Sequence, residues 1–253
     1  MLINSVLEQF AILPLVDLRF NFIDISITNQ TILLDLVILF LYMTFWYTAD
    51  SNGHLYMQPS RVQFVIELVF KFVVSVMTNN MDVKTAERFF PFITCIFFFI
   101  VMINFLGLVP YSFTVTSHFI VTFGFSVYLF IGIIILTVRK HGIHSLELFL
   151  PAGTPILLAF VLVPVEIISY VFKPISLSIR LFANMMAGHT LLKVIAFFSF
   201  CLLDFSGVLG AGHLAPLLLL APLMFLETAV AFIQALVFII LLSIYLNEAA
   251  KLH

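Results

Sequence analysis

The sequence predicts an all-α integral membrane protein: one N-terminal transmembrane helix, a surface amphipathic helix, a transmembrane helical hairpin, and two long, steeply tilted membrane helices forming an antiparallel hairpin. Three observations carry that expectation. Of 253 residues, 63% are hydrophobic and only 9% charged, with a mean hydropathy of +1.21, more apolar surface than a water-soluble domain can show to solvent. Several apolar runs reach the roughly 20 residues that a helix needs to cross a hydrocarbon core of about 30 Å. The last two runs exceed that length so far that they must tilt, kink, or both. These segments use up nearly the whole chain, so residues 1–253 read as a single membrane domain. A net charge of −2 gives no footprint for nucleic acid. Cys95 and Cys201 lie inside apolar runs and read as packing residues, with a disulfide as the alternative.

Taken in order, Met1 to Leu15 carry Glu8 and no Arg or Lys, which suits neither a secretory signal nor an Arg-rich transit peptide. Such a chain is made where it is used, or has already lost a presequence. After a mixed segment with Arg19 and Asp24, residues 32–48 read as the first transmembrane helix. Residues 60–80 differ, because Ser60, Gln63, Glu67, Lys71, Ser75 and Thr78 recur every three or four positions among Val, Phe, Ile and Leu. A polar stripe of this kind, with Glu67 and Lys71 one turn apart, belongs along a membrane surface or against a partner. Residues 89–113 and 117–138 are two further spans with almost nothing between them, a tight helical hairpin. His141, His144 and Glu147 are spaced like weak metal ligands, yet they sit in a short loop beside Arg139 and Lys140, so no metal or cofactor is expected.

Residues 154–205, interrupted at Pro164 and at Lys173-Pro174, would extend roughly 75 Å as one helix, and residues 214–248 roughly 50 Å. The prolines supply kink sites. Between the two runs, Asp204 to His213 with Gly207, Gly210 and Gly212 mark the turn of a large antiparallel hairpin. No Lys-Ser/Thr follows these glycines, which argues against a phosphate loop. Lys and Arg give the orientation. If every run crosses once, Arg61, Lys71, Lys84, Arg88, Arg139, Lys140 and Lys251 share one face while the other has only Arg19. The positive-inside rule then puts the N-terminus outside, the C-terminus inside, and five crossings between them.

Ionisable groups in membrane segments are costly and mark functional sites. In the last hairpin they are Glu166, Lys173, Arg180, His189, Lys193, Glu227 and Glu248. Lys173 and Lys193 read as structural, since their stems can snorkel. A fold-back near residue 208 would set Glu166 level with Glu248, Arg180 with Gln234, and His189 with Glu227. Two polar layers would then flank a layer holding one arginine, with Glu166 and Glu248 at the inner face and His189 and Glu227 towards the outer. His189, nine residues beyond Arg180, points roughly opposite to it. Two offset water-filled half-pathways need such groups, and between them a charge that never releases its proton, which arginine supplies. Histidine and glutamate suit proton relays. The plainer alternatives are an arginine paired with Glu166 or Glu227, a satisfied core histidine at 189, and a solvated chain end at Glu248.

The run KPISLSIRLFANMMAGH, Lys173 to His189, closely resembles the signature of subunit a of rotary ATP synthases. Further matching stretches are Asn104 to Tyr111, Phe149 to Pro155, and Glu227 to Tyr245 with Gln234-Ala235 inside it. Leu7-Glu8-Gln9-Phe10 is similar to mitochondrial members. The resemblance covers nearly the whole chain and is firmest from residue 89 onward. It implies a stator that takes no part in ATP chemistry itself, whose two long helices press against a ring of c subunits, each a proteolipid with a membrane-embedded carboxylate. Peripheral-stalk and other membrane-sector subunits and membrane lipid are the other implied partners, and residues 60–80 match the surface helix near the stalk. By the same matching, Arg180 is the essential charge, Asn184 and Gln234 flank it, His189 and Glu227 line the outer inlet, and Glu166 and Glu248 line the inner outlet. Bacterial members commonly exchange the acid and the histidine, so His189 with Glu227 implies the mitochondrial inner membrane, with the N-terminus in the intermembrane space and the C-terminus in the matrix. Two other functions compete: a stand-alone secondary transporter with an anion site at Arg180, which calls for inverted repeats that the sequence does not show, and a purely structural membrane scaffold.

Overall fold

In hydrocarbon the backbone must satisfy its own N–H and C=O groups, and a helix does so within each segment. The computed structural model describes residues 10–17, 19–20, 23–24, 26–49, 61–109, 112–142, 156–203 and 212–250. Its helices are α1 Asn29–Ala49, α2 Arg61–Asn80, α3 Val83–Gly107, α4 Phe119–His141, α5 Ile156–Leu203 and α6 Leu214–Ala250. All six are long and apolar enough to cross a membrane, so the chain is an all-α membrane protein, as its composition predicts. Gly207 and Gly210 of the expected turn, the stretch from Phe149 to Thr154, His144, Glu147, Pro110, Tyr111 and Lys251 lie outside the described residues.

Ahead of α1 the mixed N-terminal segment forms short strands. β1 (Pro14–Val16) pairs antiparallel with β4 (Ile27–Thr28), and β2 (Arg19–Phe20) with β3 (Ile23–Asp24). Pieces of two or three residues are too short to show an alternating pattern, so the sequence carries no signal for them. Asn29, the first residue of α1, ties them to the helix: its Nδ2 donates to the Ala11 carbonyl at 3.2 Å, and its Oδ1 accepts from the Leu13 N–H at 3.3 Å.

The chain packs as two compact units. The first comprises Met1–Phe40, Phe99–Val121 and Arg180–Ala235, and the second Leu41–Phe98, Thr122–Ile179 and Leu236–His253. In the first unit, Ser112 Oγ donates to the carbonyls of Leu106 and Gly107, at 2.7 and 3.1 Å, and closes the end of α3. Residues 108–118, with a 3-10 turn at Val115–Ser117, then link α3 to α4, a longer connection than the apolar pattern indicates. Hydropathy does not register that link because Val109, Phe113 and Val115 keep it apolar.

The second unit is built on aromatic rings. Phe70 of α2 meets Phe90 and Phe98 of α3 edge-on at 6.0 and 5.9 Å, and Phe97 lies 6.4 Å from Phe72. Between lipid-exposed helices no water is released on packing, so shape fit and dispersion carry the association. Val73 and Met77, four apart, form the buried edge of α2, while Glu67, Lys71 and Ser75 stay outside it. Ser126 of α4 donates to the Pro174 carbonyl of α5 at 3.1 Å, and the Phe130 ring sits 4.7 Å from Tyr170 and 6.0 Å from Tyr245. Gly142, with φ of +58°, makes the left-handed turn that ends α4. Both cysteines are free; Cys95 is exposed on α3, where an apolar thiol suits lipid, so it does not pack inward as its surroundings in the sequence suggest.

α5 has 48 residues and α6 has 37, about 72 and 56 Å of helix. Pro164 and Pro174 lie inside α5 and Pro222 inside α6, and the helices run through them. Replacing Phe97, 2% exposed, by alanine is expected to cost about 3 kcal/mol through the cavity left behind. Thermal unfolding of the complex in nanodiscs checks this: Phe97→Ala lowers the midpoint clearly, and Phe97→Leu much less.

Candidate functional site

α5 turns a packing edge inward through Leu177, Leu181 and Met185, spaced four apart and all nearly buried. Arg180 lies off that edge and is exposed. Among the described residues it has no ion pair, so pairing with Glu166 or Glu227 does not explain it. On α6 the buried face runs Glu227, Ala231, Gln234, Ala235. The two alanines keep that face thin, which lets a neighbouring helix come close.

Where α5 and α6 meet in the first unit, three contacts define the site. Asn184 Nδ2 donates to Gln234 Oε1 at 2.9 Å. His189 Nε2 lies 3.7 Å from Glu227 Oε1, close but too long for a hydrogen bond. Between them stands Gly188, where a Cβ would come within 2.5 Å of Glu227 Oε1 and 2.9 Å of its carboxyl carbon. Only a residue without a side chain leaves the carboxylate its place. Asn104 of α3, fully buried, donates through Nδ2 to the Ala231 carbonyl at 3.3 Å, and so props α6 midway between Glu227 and Gln234.

The pair is poorly satisfied for its depth. Glu227 is 5% exposed, yet both its oxygens, His189 Nε2 and Gln234 Nε2 are buried without a hydrogen-bond partner in the protein. Orphaned groups of this kind are rare in membrane or core positions and call for water or another polar group. A cavity of about 250 Å³ reaches Asn184, Gly188 and Glu227, and a pocket of about 10 Å³ lies between Glu227 and Gln234, close to the smallest volume that holds a water.

In the second unit the inner-layer residues are arranged differently from the sequence register. Glu248 pairs with Lys173, Nζ to Oε2 at 3.0 Å, rather than with Glu166. Lys173 Nζ also lies 5.2 Å from the centre of the Tyr170 ring and 4.6 Å from that of Tyr245. Two carboxylates repel and an ammonium attracts, so the acid selects the lysine seven residues beyond Glu166. Glu166 is half-buried on α5. In the first unit the partner of Gln234 is likewise Asn184, one turn past Arg180, while His189 and Glu227 meet as the fold-back predicts.

Gly188 and Asn104 are residues that sequence reasoning left without a role, and Lys173, read there as a snorkelling structural side chain, is paired with Glu248. For Lys173 the available signal was Tyr170 three positions before it and Tyr245 near Glu248 on the facing run.

Fold and site define a multi-pass helical membrane protein whose last two membrane-length helices carry ionisable groups, as ion pathways do. The family model described as ATP synthase A chain matches residues 31–247. The chain is 50% identical over 250 residues to ATP synthase subunit a of Pylaiella littoralis, covering 99% of each sequence. It is 43% identical over 251 residues to the subunit a of Marchantia polymorpha, covering 98% of this chain and 99% of that one. With the subunit a of the bacterium Rhodospirillum rubrum it shares 40% identity over 250 residues, 99% of this chain and 100% of the relative. The chain belongs to the ATP synthase subunit a family and so to the proton-translocating membrane sector of that complex.

Gly188→Ala is expected to push the Glu227 side chain off α5 and open the 3.7 Å approach to His189. A density map of the variant complex checks it, and a Glu227 carboxylate left in place beside the new methyl counts against the account.

Proposed function

We propose that the chain conducts protons through two offset half-channels where it meets a ring of c subunits, and so couples proton-motive force to ring rotation and ATP synthesis. The observation that carries this reading is Arg180, exposed on a membrane-length helix and without an ion pair among the described residues. A cation at that depth costs about 3 kcal/mol or more unless an anion meets it. A carboxylate on a passing c subunit supplies the anion and gives up its proton on arrival. Arginine cannot relay that proton, because its guanidinium stays protonated at any physiological pH. Protons therefore cross only by riding the ring.

In this reading His189 and Glu227 form the outer inlet. Their orphaned polar atoms and the adjoining cavity support a wet path that reaches them. Asn184 and Gln234, bonded to each other, flank the arginine. Glu166 and Glu248 belong to the inner outlet, where Lys173 fixes the position of Glu248. The polar stripe of α2 supports a helix lying at the inner surface near the peripheral stalk, leaving five crossings. Lys84, Arg88, Arg139 and Lys140 support a C-terminus on the inner side. Histidine at 189 with glutamate at 227 supports the mitochondrial inner membrane, with the N-terminus in the intermembrane space and the C-terminus in the matrix.

Arg180→Gln is expected to lower proton-driven ATP synthesis by on the order of a hundredfold or more, as loss of one essential electrostatic group does. Rates of synthesis in vesicles that carry the assembled variant complex test it, and wild-type rates would defeat the proposal. Glu227→Gln, which keeps the shape and removes the proton site, is expected to cut proton flux by about a hundredfold; a purely structural scaffold would leave flux unchanged.

A further inference from the structure

Within the second unit, the start of α3, the end of α4 and the end of α6 border an open cavity of about 570 Å³. Four cations line it: Lys84 and Arg88 from α3, and Arg139 and Lys140 from α4. No acidic side chain is among its lining residues. Lys140 donates to the Ala250 carbonyl at the end of α6. Lys84, Arg88 and Arg139 have no ion pair among the described residues.

Helix electrostatics explain only half of this cluster. Arg139 and Lys140 sit in the last turn of α4, where the helix dipole favours positive charge. Lys84 and Arg88 occupy the first two turns of α3; the dipole opposes Lys84, whose turn holds no acid, and of the nearest acids Asp82 stands ahead of the helix while Glu87 lines a different cavity, against α2. Two cations near the start of one helix, facing two more across a cavity whose described lining holds no acid, leave a concentrated positive field in that space. Snorkelling would explain side chains spread around the helix ends, not four converging on one space.

The rest of the cavity wall is apolar. Phe89 and Leu136 line it, and the α4 surface continues outward through Ile131, Ile134 and Val138, all exposed as lipid-facing residues are. A charged rim at the ends of membrane-length helices, continuous with an apolar wall, matches a molecule with a phosphate head and hydrocarbon tails. A soluble anion would use the rim and gain nothing from the wall. We propose that this cavity binds the phosphate headgroup of an anionic phospholipid, with Arg88 and Arg139 as its main contacts and the acyl chains along α4. The lipid ties together the ends of α3, α4 and α6. The site shares no lining residue with the proposed proton pathway, and the proposal stands whether or not that pathway runs as described.

The test uses the intact purified complex, exchanged from mixed phosphatidylglycerol and phosphatidylcholine into phosphatidylcholine nanodiscs, with retained phosphatidylglycerol measured by native mass spectrometry. Each basic residue near a headgroup contributes about fivefold to affinity, so Arg88→Gln with Arg139→Gln is expected to weaken retention roughly thirtyfold. Arg88→Lys with Arg139→Lys keeps the charge and is expected to retain the lipid, which separates loss of binding from loss of fold. Equal retention by wild type and the double Gln variant overturns the proposal. So does displacement of the lipid by excess inorganic phosphate, which would mark a free-anion site. A photoreactive side chain in place of Thr85 is expected to label lipid in the intact complex; labelling of an acidic protein segment instead assigns the cluster to a protein partner and also overturns the proposal.

Discussion

An exposed guanidinium on a membrane-length helix, without an ion pair among the described residues, is the constraint around which the proposed working of this hairpin turns. Water solvates an exposed cation and protein carboxylates neutralise a buried one, yet Arg180 has neither an acid beside it among the described residues nor a place in the packed edge of its own helix. In the proposed reading, the free energy of that position depends on something outside the chain. Leu177, Leu181 and Met185 take the packing duty of α5, and so release the arginine to face outward. The family to which the chain belongs works inside a complex, where an external carboxylate can meet that demand.

Two clusters of ionisable groups, one in each unit, are treated in opposite ways. In the second unit, Lys173 has a carboxylate at 3.0 Å and two aromatic faces at 4.6 and 5.2 Å, so its charge is matched locally. In the first, Glu227, His189 and Gln234 keep polar atoms buried without partners, each costing about 1–3 kcal/mol if left so. A protein selected only for stability would fill or pair those positions. Gly188 shows the arrangement is specified in detail, since any larger residue would occupy the space of the Glu227 carboxylate. Asn104 spends a fully buried amide on holding the α6 backbone between Glu227 and Gln234. Together they place an acid and a histidine near each other without letting them close into a hydrogen bond, which leaves both open to a third group.

How far the sequence discloses this follows from what each signal measures. Hydropathy integrates over about 20 residues, so it finds helices and the membrane class, and it misses strands of two or three residues and the apolar link from 108 to 118. Counting residues back from a turn assumes two straight arms of equal rise. That works close to the turn, where His189 meets Glu227, and it slips by one turn at Asn184 and by two at Lys173. Prolines within α5 and α6 break the assumption of straight arms. Charge chemistry then picks the pairs that register alone does not: an amide takes an amide, and an acid takes the nearby lysine. Gly188 and Asn104 stay silent in a single sequence because their roles are fixed by what lies across the gap.

Lys173 and Arg180 stand seven residues apart on one helix and show why the unpaired position holds an arginine. A lysine can be satisfied locally, because its flexible stem swings a compact ammonium to whatever acid is near, and Lys173 has done so with Glu248. A lysine left unpaired at membrane depth has a second escape: it can shed its proton and become neutral. In the proposed pathway that escape would remove the barrier, since a group able to lose and regain a proton can pass one from side to side. Arginine has no such exit. Its charge persists through every encounter with an arriving carboxylate, so the only way to lower its energy is to draw that carboxylate in, and the only way for a proton to proceed is to leave by the other route.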